Sequence, residues 1–190
     1  MYYVCIMKKA GVKERIIETA SRLFYYNGYN QTGINQIIEE ASVAKASMYV
    51  HFRSKEDIAV AYLQQRHGKW MGKLQAHVAK YKNPKTRMLG CFDFLKQWLE
   101  EVDYRGCGWQ NIITDLPEDH SKIKDQVVLH KSLVREWIHG ELLMAYPKKQ
   151  ALQLGDEIHV LLEGAIILSQ INKESWPILR GKNACKKLLG

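Results

Sequence analysis

Lys45, Ala46 and Ser47 stand together at the first turn of a short amphipathic stretch, and Lys55 opens the stretch that follows. Their chemistry is the gripping of a polyanion, not the making or breaking of bonds. Small or polar side chains at the start of a helix let it approach base edges closely in a major groove. Ser54-Lys55-Glu56-Asp57 has the form of a capping box. The free N–H groups of that first turn, with Lys55, make a natural phosphate clamp. No pattern for covalent catalysis competes: the chain has no nucleophile elbow, no H-E-x-x-H, no phosphate-binding glycine loop and no carboxylate pair in a shared motif. Its seven histidines are scattered, and Asp115 with Glu118, Asp119 and His120 beside Pro117 reads as a solvated turn and helix cap. The sequence implies no enzyme, no cofactor and no metal site.

These side chains need three short helices to hold them. Ile34, Ile37, Ile38 and Ala41 recur at i, i+3, i+4 and i+7, the stripe of a helix buried on one face. Thr32 can cap its start through the hydroxyl oxygen. A brief turn follows at Ser42-Val43-Ala44, with Val43 as a buried plug, and a second helix runs from Lys45 to about Phe52. Upstream, Val12, Ile16, Ile17, Ala20, Leu23 and Phe24 share one face, and Asn27-Gly28 ends that helix. The whole reads as a helix-turn-helix that grips double-stranded DNA. Such a unit buries too little to be very stable alone, so the long helix after it should serve as its support.

Composition allows this reading without carrying it. The net charge of +8 over 190 residues favours a polyanionic partner. Residues 1–67 nevertheless hold only 9 Lys and Arg against 6 Asp and Glu, a net +3. Identity as a DNA reader therefore rests on order and spacing. Four widely separated cysteines, Cys5, Cys91, Cys107 and Cys185, fit reduced thiols in a cytoplasm. No apolar run approaches the roughly 18 to 20 residues that span a bilayer, so a soluble protein with no membrane partner is expected. The opening MYYVCIM is not a signal peptide, because its lysines follow it. Either Met7 is the start, with residues 1–6 an extension, or the segment is an arm on the first helix, with Lys8, Lys9 and Lys13 as its cations.

Beyond Asp57 the periodicity stays helical. One long helix is expected from Ile58 to about Lys80, with Gly68 and Gly72 marking a weak point or a close helix approach. After Asn83-Pro84, the residues Met88, Cys91, Phe92, Leu95, Leu99 and Val102 form an apolar stripe flanked by Trp98. A short helix from Trp109 to about Leu116, stopped by Pro117, precedes three longer ones ending near Leu142, Asn172 and Leu189. The expected fold is all-α, divided into residues 8–57 and residues 58–190. The helix with Leu154, Ile158, Leu161, Leu162, Ala165, Ile166 and Ser169 is apolar around much of its circumference, so it should be buried on two sides. A second copy can cover one of them.

The stretch ERIIETASRLFYYNGYNQTGINQIIEEASVAKASMYVHFRSKEDI closely resembles the DNA-binding segment of TetR-family transcriptional regulators, and RGCGWQN extends the likeness. The resemblance implies that Thr32 and Lys45 touch phosphate or a base edge, that Ala46 and Ser47 face the groove, that Tyr49 and His51 bind phosphates, and that Lys55 caps the contact. It implies a homodimer through the last two helices, and a small-molecule effector among the middle helices. Trp70, Met88, Phe92, Trp98, Trp109, Ile113 and Trp137 would line that pocket, with Tyr62, Tyr104 or His130 as polar contacts. The function implied is a repressor released from a pseudo-palindromic operator. The alternative is a helical DNA-binding regulator without small-molecule input, controlled by a protein partner or by abundance. The sequence departs from the family in its turn: Ser42 and Ala46 stand where glycine is common, and Ala44 where a capping serine is. With no cap hydroxyl, a loss of about 1 kcal/mol, the recognition helix must depend on packing.

Overall fold

The computed structural model describes residues 11–116 and 120–190. The opening apolar stretch with Cys5, Lys8 and Lys9, and the segment of Pro117, Glu118 and Asp119, lie outside the described residues. Among the described residues there are nine helices and no strand. The first is α1, Val12–Tyr26, which buries Ile16, Ile17, Ala20, Leu23, Phe24 and Tyr25. Gly28 at φ +93 turns the chain after the Asn27 cap, a conformation that glycine adopts without strain. Two seven-residue helices follow, α2 (Ile34–Glu40) and α3 (Lys45–His51), packed on α1 and on each other.

The lever is α4, Lys55–Val78, continuous over 24 residues. Ser54 caps it by accepting the Asp57 N–H at 3.0 Å. Its first turns belong to the N-terminal unit: Ile58, Ala59, Tyr62 and Leu63 are buried, and Tyr62 meets the ring of Phe24. Its far half, Met71, Leu74 and Val78, is buried within the C-terminal bundle. Gly68 and Gly72 mark neither a break nor a close approach, since an added Cβ at either would meet nothing within 4 Å.

The remaining helices are α5 (Pro84–Glu101), α6 (Gly108–Ile113), α7 (Ser121–Leu143), α8 (Lys148–Asn172) and α9 (Trp176–Leu189). Asn83 caps α5 through the Thr86 N–H, and Pro84 takes the first turn, where its missing N–H has no role. In the C-terminal bundle α4 packs on α5 and α7, α8 lies against α7, and α9 covers α5 and α8. The α6 helix is shorter than periodicity implies, ending at Ile113 before Pro117, and it touches both α7 and α1. Cys91, Cys107 and Cys185 are free and buried. No helix among the described residues is long and apolar enough to cross a membrane.

Candidate functional site

The α2–α3 turn is a Schellman motif built on a serine. Val43 N–H reaches back to the Ile38 carbonyl at 3.2 Å and Ser42 N–H to that of Glu39 at 3.0 Å, with Ser42 at φ 51. Val43 and Ile38, the apolar pair of the motif, are both half-buried against the core. Arg15 of α1 clamps the turn, donating to the carbonyls of Ala41 at 3.2 Å and Ser42 at 3.0 Å. Arg22 pairs with Glu40 at the end of α2. Ala44 gives α3 no side-chain cap. The helix is held instead by Met48, fully buried, and by Phe52 just beyond its end. Burying a methionine contributes about 1.5–3 kcal/mol, more than the missing cap.

That anchoring turns a defined set of side chains outward. Lys45, Ala46, Tyr49 and His51 are exposed and Ser47 is half-exposed. Two further residues join them without having been singled out by pattern: Val50, 81% exposed, and Arg53. Two expectations need correction. Thr32 does not cap α2, whose N-cap is Gly33; it is fully buried and donates its hydroxyl to the Gly28 carbonyl at 2.8 Å. Lys55 is half-buried over the Tyr29 ring, donating to the carbonyls of Tyr29 at 3.0 Å and Thr32 at 3.1 Å. Burial lowers its pKa, and Asp115 opposes the shift. Both residues fasten the loop before α2.

The same loop is tied to the C-terminal bundle. Asn30 N–H donates to Asp115 Oδ2 at 2.9 Å, and its side-chain amide reaches Asp115 Oδ1 at 3.0 Å. The Tyr25 hydroxyl donates to the Gly106 carbonyl at 2.8 Å, while Arg105 Nε donates to that of Tyr25 at 3.0 Å. Lys122 at the start of α7 meets Asp57 at 2.8 Å, holding that carboxyl below its usual range. The short stretch from Arg105 to Asp115, with α6 at its centre, therefore carries contacts to α1 and to the α1–α2 loop.

Its other face borders an internal cavity between α4, α5, α7 and α8, about 20 Å³ in volume. Trp70, Trp98, Trp109 and Trp137 line it, as does His130. Met88, Phe92 and Ile113 do not. On α5 the cavity face is Cys91, Leu95 and Trp98, whereas Phe92 points at α9, where an added Cβ on Gly181 would lie 2.8 Å from its ring. Ile113 is half-buried in the last turn of α6. Tyr62 and Tyr104 also stand off the cavity, Tyr62 on the N-terminal core and Tyr104 in a left-handed turn after α5.

The polar side of the cavity was not legible from pattern. Lys131 and Glu163 pair at 2.6 Å, Gln110 donates to the same carboxylate at 3.0 Å, and Cys107 Sγ accepts from Lys131 at 3.6 Å. Burial pushes the Glu163 carboxyl up, but His159 and Lys131 outweigh it and hold it at about 2. The His130 ring stacks on Trp109, centroids 3.5 Å apart and planes 3° from parallel, and its Nδ1 lies 2.9 Å from that of His67. Burial, then the charge of Lys131, keeps the imidazole neutral down to about 2.

Two outcomes follow from this geometry. A β-branched residue tolerates the left-handed region poorly, so Ser42→Val should lower unfolding free energy by about 1–2 kcal/mol, while Ser42→Gly should be neutral or stabilising. Denaturant titration of the two variants checks this. For His130, the unfolded chain takes up a proton below 6.5 that the folded chain refuses until about 2. Stability must therefore fall with falling pH, by about 1.4 kcal/mol per unit for one proton. In melts from about pH 7 to about pH 5, His130→Phe should lose less stability than the native chain.

Residues 16–62, the segment just described from α1 to the start of α4, match the model for bacterial regulatory proteins of the tetR family. The chain is 27% identical to the HTH-type transcriptional regulator YxaF of Bacillus subtilis, covering 88% of this chain and 89% of that protein. It is 26% identical to the biofilm operon icaADBC HTH-type negative transcriptional regulator IcaR of Staphylococcus epidermidis, over 80% and 78% of the two chains. A solved TetR-family transcriptional regulator from Streptomyces coelicolor shares its fold, with a TM-score of 0.80, 22% identity and coverage of 93% and 94%. An exposed, packing-anchored α3, the matched segment around it and relatives along nearly the whole chain agree: residues 16–62 are a DNA-binding segment of the tetR type, and the protein is a DNA-binding transcriptional regulator, not an enzyme.

Proposed function

We propose that the chain is a homodimeric repressor, released from a pseudo-palindromic operator by a small molecule bound in the cavity. One observation carries the reading: the Arg105–Asp115 segment holds Trp109 against the cavity and, through Arg105, Gly106 and Asp115, grips Tyr25 and Asn30 of the N-terminal unit. A ligand that moves α6 must act on α1, and α1 carries the clamp on the α2–α3 turn. The effector must bind the released state more tightly than the DNA-bound one. The proposed division is a DNA-binding domain at 8–57, leaning on the first turns of α4, and an effector and dimerisation domain at 58–190. Repression is supported by the staphylococcal relative, which is named a negative regulator.

Dimerisation is supported by an apolar strip on α8 that this chain leaves exposed. Val160, Ile167, Leu168 and Ile171 share a face, with Gly164 open beside them, and Trp176 and Leu179 continue it onto α9. Two copies on a two-fold axis would hold their α3 helices for half-sites one DNA turn apart, about 34–36 Å, or a multiple of it. Within each copy, Ala46 and Ser47 are proposed to read base edges, with Val50 available to thymine methyls, while Lys45, Tyr49, His51 and Arg53 contact phosphates. A regulator without small-molecule input is the second reading, favoured by the cavity's size of about 20 Å³, room for little more than a water.

The test is anisotropy of a duplex selected by the protein from random sequence. Affinity should fall steeply with salt. Tyr49→Ala should weaken binding to every duplex by about tenfold, whereas Ser47→Ala should change the order of preference among them. Equal effects from both variants would reject these roles. In sedimentation, Val160→Glu with Ile171→Glu should give a monomer that binds a half-site; a dimer that survives both would reject the α8 interface.

A further inference from the structure

The cavity has a chemical character that narrows what can enter it. The Trp70 indole N–H is buried without a hydrogen-bond partner, and leaving such a donor unpaired costs about 1–3 kcal/mol. Indole offers no acceptor, so the surrounding tryptophans cannot satisfy it. What the Trp70 N–H lacks is an acceptor atom. Its ionic groups, by contrast, already cancel: Lys131 and Glu163 lie 2.6 Å apart and Gln110 covers the same carboxylate. A charged guest would lose its hydration and find no free counter-charge.

Shape is set by a ring already in place. His130 lies flat on Trp109 at 3.5 Å and 3°, and Trp70 stands across from it at 5.6 Å, tilted 76°. The imidazole is uncharged there and touches His67 on its outer side. A groove of about 130 Å³ between α4 and α7, bounded by Leu63, His67 and Leu129, borders the same two rings from outside. If His130 swings into that groove, the inner space opens to it and the face of Trp109 becomes free. The N–H of Trp109 lies in the plane of its own ring, out of reach of a molecule on its face. Trp70, across the gap, is the donor that such a molecule can meet.

We propose that the cavity binds a planar, uncharged aromatic molecule carrying an acceptor oxygen, which replaces the His130 ring on Trp109 and accepts a hydrogen bond from Trp70. The proposal rests on the effector-release reading and names the class of effector. His130 is then the gate, and Trp70 and Trp109 are the residues that set specificity.

Calorimetry on the full chain with four probes tests it: 2-acetylnaphthalene, 2-ethylnaphthalene of the same shape without the oxygen, 2-naphthoate, and decan-2-one. The flat ketone should bind at least about tenfold more tightly than each of the others. Trp70→Phe, which keeps a ring and removes the N–H, should erase the advantage over 2-ethylnaphthalene and leave the hydrocarbon's affinity unchanged. Trp109→Leu should weaken both flat probes, and His130→Ala should tighten both. Binding of none of the four, a preference for naphthoate or decan-2-one, equal affinity for the two naphthalenes, or indifference to Trp70→Phe would overturn the assignment. Anisotropy of the selected duplex separates the two readings. Release of DNA by naphthoate or decan-2-one keeps effector release and removes this ligand class. Tight, His130-sensitive binding of the flat ketone with unchanged DNA affinity keeps the class and removes effector release.

Discussion

The exposed helix α3 cannot hold itself. At seven residues and without a side-chain cap, α3 is far below the length of about 12–15 residues at which an isolated helix becomes even marginal in water. Its existence and its direction come from outside: Met48 sunk into the core, Phe52 behind it, and a turn whose carbonyls are clamped by Arg15 of α1. The rest of the architecture answers this constraint. Once α3 is a passenger on α1, whatever fixes α1 fixes α3. The fastenings of α1 run to α4 below it and to the Arg105–Asp115 segment beside it. A small helix touching both a cavity and α1 is thus placed where a minor displacement has a large consequence.

The charged residues divide along the same line. Arg15, Arg22 and Lys55 all lie in the N-terminal unit, and all three are occupied in holding it together. Lys45 and Arg53 remain exposed. This explains why the net charge of the N-terminal third is a poor guide to its role: part of the positive charge is structural. The exposed pair Arg22–Glu40 adds little by itself, since such surface bridges contribute about 0–1 kcal/mol. Arg15, donating to two carbonyls of a left-handed turn, has the stronger claim.

What could be read from the sequence and what could not follow from the range of the forces involved. Helices and their faces are local, and the nine helices of the described residues were legible from stripes, caps and turns, down to the Asn83-Pro84 start of α5. The ordered string from Glu14 to Ile58 carries the family resemblance, and its departures point to the turn: Ser42, where the resemblance implies glycine, sits at φ 51. Directions between helices are not local. Met88 and Phe92 lie on the same apolar stripe as Leu95, and only the placement of α9 decides that they face away from the cavity. Thr32 and Lys55 were legible as polar residues at helix starts, but their partners, the Gly28, Tyr29 and Thr32 carbonyls, exist only once the loop folds back. Lys131 and Glu163 are 32 residues apart on different helices; nothing in either segment announces the other.

That last pair bears on how the bundle is specified. An ion pair in so apolar a setting is weak evidence for stability, because both groups surrender their hydration. Here each partner is multiply engaged, Glu163 by Gln110 and Lys131 by Cys107, so the register of α6, α7 and α8 is fixed by one polar node among tryptophans. Two of these helices, α6 and α7, also carry the Trp109–His130 stack. The apolar contacts of that stack have no direction of their own, whereas the ion pair does. The cavity therefore combines a polar wall whose contacts are directional with an aromatic wall whose contacts are not, and the aromatic wall is the one continued, six residues beyond Trp109, by Asp115 and its hydrogen bonds to the N-terminal unit.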